Sequence, residues 1–152
     1  MIKKTITIMF IVCLAACQEN LSYSYLMEHP FYLQKQLVKC QSKQKNSENK
    51  QTQCESVLTA AADFDLLLSE QWANSLQFGQ RIMLAERDWI SAKQELEQAK
   101  NLLETLQSKK QTSQLELSAA SDRVMRAEKT YQHLAQEVRI LLAVVSVTNH
   151  PE

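Results

Sequence analysis

The chain has 152 residues, 17 basic and 17 acidic side chains, 45% hydrophobic residues, one glycine and two prolines. Turns draw on glycine and proline, so their scarcity argues against a β-rich fold. The charge balance leaves no electrostatic footprint for nucleic acid or for an anionic membrane face. The length fits one domain, and the composition fits helices.

At the N-terminus, Lys3 and Lys4 precede an almost unbroken apolar run from Ile6 to Ala16. The run is too short to cross a bilayer as a helix, which needs about 20 apolar residues, but it suits the apolar region of a secretory signal. Leu14-Ala15-Ala16-Cys17 resembles the lipobox of bacterial lipoprotein signal peptides. The resemblance implies lipidation of Cys17 and removal of residues 1–16, with 17–22 as a lipidated tether. Stable anchoring requires more than one acyl chain, as lipidation of the thiol and the new amine would supply. Gln18 after the cysteine fits the sorting pattern for the outer membrane, facing the periplasm. An ordinary signal peptide that happens to contain cysteine is the other reading. Cleavage would leave 136 residues, 152 minus 16, with 15 basic residues against 17 acidic ones.

Of the four cysteines, Cys13 would leave with the signal and Cys17 would carry lipid. Cys40 and Cys54 remain, and in an oxidising compartment a pair this close reads as a disulfide. Two buried thiols are the alternative.

Ser22 to Cys40 reads as helix interrupted near His29-Pro30, because proline suits a helix's first turn. Phe31, Leu33, Leu37 and Val38 are read as its apolar face. Gln41 to Gln53 is a polar loop. Thr52-Gln53-Cys54-Glu55 matches a capping box, so a helix should start there, with Val57, Leu58, Ala61, Phe64, Leu68 and Trp72 facing inward.

From Phe78 the apolar residues fall into heptads. Ile82, Trp89, Leu96 and Leu103 hold one seam position; Phe78, Ala85, Ala92, Ala99 and Leu106 hold the other. Leu117, Ala120, Val124, Ala127, Tyr131, Leu134, Val138, Leu141 and Val145 continue the pattern, a coiled-coil signal. Between the stretches lie Lys109 and Lys110, suited to a helix C-terminus, and a second capping box, Ser113-Gln114-Leu115-Glu116. One long helix dimerising in parallel would stack alanine on alanine along the seam. A fold-back near Gln111-Thr112 instead sets most small residues against larger ones, Ala92 against Tyr131 and Ala85 against Val138 among them. The apolar tail, Ile140 to Val147, then either packs against the helix of Phe64, Leu68 and Trp72 or offers a face to a partner. The expected organisation is all-α: a two-cysteine helical module over 23–62, then an antiparallel coiled-coil hairpin over 63–148 with its turn near 108–113.

No catalytic constellation stands out. His29, His133 and His150 lie far apart, without metal-ligand spacing, and no phosphate loop or nucleophile motif occurs. The acidic residues of 86–104 alternate with Lys93 and Lys100, as on a solvated coiled-coil face. The reading is a non-enzyme with no cofactor and no metal, acting through a protein partner whose binding residues are not indicated, with homo-oligomerisation open.

The spacer, Tyr25-Leu26-Met27-Glu28-His29-Pro30, Leu33, Leu37, Cys40, a polar stretch and Cys54 followed by alanines together resemble the entry-exclusion lipoproteins of conjugative plasmids and related type IV secretion loci. The resemblance covers about residues 17–62. It implies a recipient-envelope protein that blocks redundant DNA transfer by contacting a protein of the transfer apparatus. The coiled coil departs from that family, whose members are little longer than the two-cysteine module. A structural or accessory lipoprotein of an envelope-spanning secretion machine, assembling through its coiled coil, is the alternative.

Overall fold

In a computed structural model of the chain, residues 22–42, 51–109 and 112–149 are described. They form five helices and no strand: α1 (Tyr23–Glu28), α2 (Pro30–Ser42), α3 (Gln51–Ala73), α4 (Ser75–Ser108) and α5 (Gln114–Thr148). The fold is all-α. Cys17 and the rest of 1–21 lie outside the described residues, as do Lys110, Gln111 and His150.

Several helix ends have a local cause. Ser22 caps α1, its hydroxyl accepting from the Tyr25 amide at 3.3 Å. Pro30 disfavours helical backbone in the residue before it, so α1 stops at His29, whose φ and ψ are −127° and 73°. The His29 carbonyl then accepts from the Leu33 amide at 2.9 Å and opens α2. His29 is the C-cap of α1 and the first acceptor of α2 at once. α3 begins at Gln51, one residue ahead of the expected capping box, and the side chains at 51–53 lie outside the described residues. It runs unbroken through 62 and 63, so the expected step between module and hairpin falls inside one helix. Asn74 ends it and caps α4, its side chain accepting from the Gln77 amide at 3.0 Å.

The chain breaks again between Ser108 and Gln114. Lys109 is extended, Thr112 Oγ1 donates to the Leu106 carbonyl at 2.6 Å, and Ser113 starts α5 with a complete capping box to Glu116. These bonds satisfy backbone groups that a helix end leaves without partners. The heptad phase therefore does not carry one helix from α4 into α5. Beyond the break, Trp89 stacks on Tyr131 with centroids 6.2 Å apart, and Lys100 Nζ lies 4.0 Å from Glu128. Numbers fall along α5 as they rise along α4, so the two long helices run antiparallel. At 1.5 Å per residue, the 34 and 35 residues of α4 and α5 each span roughly 50 Å.

Seam positions Phe78, Ala85, Ala92, Leu96 and Ala99 are buried on α4, with Ala120, Ala135, Val138, Leu141 and Val144 buried on α5. Ala135 and Val144 depart from the expected heptads. Val144 belongs to the core that α5 shares with α1, α3 and α4, where the wider contact buries a position beside the seam; Ala135 is buried outside that cluster. At this base Leu26, Met27, Leu33, Val57, Ala60, Phe64, Phe78, Ala85, Val138, Leu141 and Val144 form one core. The apolar tail belongs to it: Leu141 and Val144 are buried, and Ile140, Ala143, Val145 and Val147 pack partly against the cluster, as do Leu67 and Leu68. Fully burying residues such as Leu26, Met27 or Leu141 stabilises by about 1.5–3 kcal/mol each.

Two of the expected inner faces need correction. On α2, Leu33 and Gln36 are buried and Leu37 and Cys40 partly so, whereas Phe31 and Val38 are 65% and 60% exposed. Residues two apart on a helix lie on nearly opposite sides, so Phe31 cannot share a face with Leu33. On α3 the buried line is Val57, Ala60 and Phe64, and it leaves Leu58 and Trp72 outside, at 49% and 75% exposure. The α3–α4 corner at Asn74 carries Trp72 away from the core.

Candidate interaction surface

Four links hold the base together, and together they join every helix. The Cys40–Cys54 disulfide joins α2 to α3, with Cα atoms 5.5 Å apart and the cysteines 14 positions apart in sequence. Arg139 on α5 grips Glu28 on α1 with a two-pronged contact, Nε to Oε2 at 2.9 Å and Nη2 to Oε1 at 3.2 Å. The planar guanidinium suits this carboxylate geometry, and hydrogen bonding to Glu28 raises the Arg139 pKa above its ordinary value. Tyr23 on α1 donates its hydroxyl to Asp63 on α3 at 2.7 Å. Burial, with that hydrogen bond and the negative charge behind it, pushes the Tyr23 phenol up to about 12. Arg81 on α4 meets Glu70 on α3 at 2.8 Å.

The bridge matters most for what it displays. It pins the C-terminal end of α2 against the start of α3, with Leu33, Gln36, Leu37 and Cys40 turned inward. The opposite side of α2 then carries Phe31 and Val38, seven residues and two turns apart, with the exposed Lys35 between them. At the N-terminal end of α2, Tyr25 stacks on His29 with centroids 4.0 Å apart and meets Tyr32 edge-on at 5.5 Å. An aromatic and apolar strip held on a cross-linked helix costs little entropy to order on binding, the property that favours protein contact.

His29 Nδ1 lies 3.0 Å from the Tyr25 carbonyl, and His133 is exposed on α5. Among the described residues no three His, Cys, Asp or Glu side chains gather as a metal site would require. The groove along Ile90, Lys93, Gln94, Glu97 and Gln98 is lined by α4 alone, a helix surface rather than a cleft. No helix among the described residues is long and apolar enough to cross a membrane. No family model, no curated protein and no solved structure matches the chain.

Phe31 and Val38, which the apolar pattern puts on the inner face, form the outer strip of α2. Their spacing of seven, set against Leu33, Leu37 and Cys40 half a turn away, held the signal. The Glu28–Arg139 and Tyr23–Asp63 links join residues 111 and 40 positions apart, and no local pattern encodes such pairs.

Proposed function

We propose that the chain is an envelope lipoprotein, anchored through lipid on Cys17, that acts by protein–protein contact in the manner of entry-exclusion lipoproteins. In this reading it resides in the outer membrane facing the periplasm and blocks redundant conjugative transfer by engaging a protein of the transfer apparatus. It acts by binding and not by catalysis, without cofactor or metal. The observation that carries the reading is the disulfide-pinned α2–α3 pair, the arrangement the entry-exclusion resemblance implies, which holds Phe31 and Val38 outward. The α4–α5 pair acts as an antiparallel coiled-coil stalk that extends reach from the membrane-proximal base.

The test is a mating assay with recipients that express the full chain. Transfer from donors carrying the cognate system should fall relative to recipients without it. Exclusion should be lost in a Phe31→Glu, Val38→Glu double variant that keeps its helicity, its disulfide and its membrane fraction. Equal transfer into recipients with and without the chain overturns the reading. The length of α4 and α5 favours one second reading, an accessory lipoprotein that assembles a secretion machine through its coiled coil. Loss of transfer or secretion from cells lacking the chain, with no recipient-side effect, would select it.

A further inference from the structure

We infer that the α3–α4 corner seats in the headgroup boundary of the membrane that holds the Cys17 lipid, with Trp72 and Leu76 as its membrane-facing side chains. The inference rests on the proposed lipid anchor. The corner is a defined structure: the Asn74 amide donates to the Glu70 carbonyl at 3.1 Å, the Asn74 side chain caps α4, and Glu70 and Arg81 clamp the two helices at 2.8 Å. Yet this fixed corner holds Trp72 and Leu76 in water, each 75% exposed. A tryptophan paired with an aliphatic residue on a rigid exposed turn is the composition that the bilayer interface takes up, where an amphipathic ring sits at headgroup level.

Charge agrees. Residues 71–80 contain no Asp, Glu, Lys or Arg, and neither do residues 140–149. Phe78 and Val144 share one core cluster, so the last turns of α5 lie at the same end as the corner. These two segments carry no charge in a chain of which 22% of residues are charged, and the flanking Glu70 and Arg81 offset each other as an ion pair at 2.8 Å. Placing unpaired ions in the interface would cost desolvation free energy, and these two segments bring none.

Reach also agrees. Cys17 lies five positions before Ser22, and five extended residue steps span at most about 18 Å. Tyr23 is fixed against Asp63 on α3, and the nine residues from Asp63 to Trp72 rise by roughly 14 Å of helix. The anchor can therefore stand level with the corner. The far end of the α4–α5 pair lies tens of ångströms away, directed off the membrane.

The chain holds two tryptophans, Trp72 and Trp89, and the second has its ring nitrogen buried. The full lipidated protein, with Trp89→Phe so that Trp72 reports alone, is placed in phosphatidylethanolamine and phosphatidylglycerol vesicles carrying bromine on the acyl chains. Trp72 emission should shift to the blue and be quenched; Trp89, read in Trp72→Phe, should not respond. If Trp89→Phe unfolds, the difference between the unaltered protein and Trp72→Phe supplies the Trp72 signal. The N-terminal peptide is weighed in the same sample. Acylated Cys17 with water-exposed, unquenched Trp72 overturns the membrane seat and leaves the anchor standing. Unmodified Cys17 overturns both. A blue shift that needs no vesicles and grows with protein concentration assigns the corner to a second copy and also overturns the inference.

Discussion

Replacing Ala92 by Leu puts the pairing of the long helices to a direct test. Ala92 is 5% exposed, and its neighbours along the seam are Trp89, stacked on Tyr131, and Leu96, itself 4% exposed. Leucine adds three carbons at a position closed by the aromatic pair on one side and a buried aliphatic on the other. Forcing such volume into a packed seam costs about 1–3 kcal/mol. For a chain of this size each kcal/mol moves the thermal midpoint by roughly 4 °C, so the expected fall is on the order of 4 to 12 °C. Ser91→Leu, one residue away on the exposed side, is the control and should change stability by less than about 0.5 kcal/mol. Melting curves followed by circular dichroism at several protein concentrations supply the measurement. In a parallel dimer the same change would replace an Ala–Ala layer by Leu–Leu and stabilise it. A raised, concentration-dependent midpoint for Ala92→Leu would refute the antiparallel packing.

Cys40→Ser with Cys54→Ser should cost roughly 3 kcal/mol, the chain-entropy value for a loop of this length, and reducing agent should do the same to the parent protein in urea titrations. If thiol alkylation of the folded, exported protein labels both cysteines, the bridge does not form in the cell. Glu28→Gln should weaken the base by about 1 kcal/mol or less, because the Arg139 side chain is 55% exposed and such pairs are screened. The loss should shrink with added salt, and an unchanged loss would assign it to packing. The Tyr23 phenol is raised from 10.0 to about 12 in the folded state, so its contribution is complete below pH 10 and fades as pH rises toward 12. Tyr23→Phe should remove that segment of the stability profile, and an identical alkaline profile in the variant would refute the Asp63 link.

The all-helical class was legible because it rests on composition and on periodic apolar residues, both of which survive without tertiary information. Ala85, Ala92, Leu96 and Ala99 are buried where the heptads placed them, since a seam facing a single partner obeys a single period. The reading failed where a helix meets several neighbours. Val144 falls off the heptads because α5 touches α1, α3 and α4 at the base. Trp72 departs for another reason: size and apolarity suggest core, but α3 ends one residue later and the side chain is 75% exposed. Phe31 and Val38 are apolar like Leu33 and Leu37, but their positions on the helix turn them to the other side of α2. For the interaction surface, Cys40 and Cys54 were readable as a pair, while the strip their bridge displays needed the direction of the inner face.

The distribution of links explains how this chain can be both firm and extended. The disulfide, the Glu28–Arg139 and Tyr23–Asp63 contacts and the Arg81–Glu70 pair all lie at the base. Toward the far end, α4 and α5 are joined by small buried residues such as Ala99 and Ala120, and by the Lys100–Glu128 contact at 4.0 Å between half-exposed side chains. Alanine lets helices approach closely but buries little area, so each layer of the stalk contributes less than a base layer built from Leu26, Met27 and Leu141. Opening free energies should therefore rise from the turn toward the base. Hydrogen exchange measures this residue by residue: amides near Leu103 and Leu117 should exchange through low-energy fraying, and those near Phe64 and Leu141 only through global unfolding. Uniform protection from turn to base would contradict that gradient and the division between a cross-linked base and a lightly packed stalk.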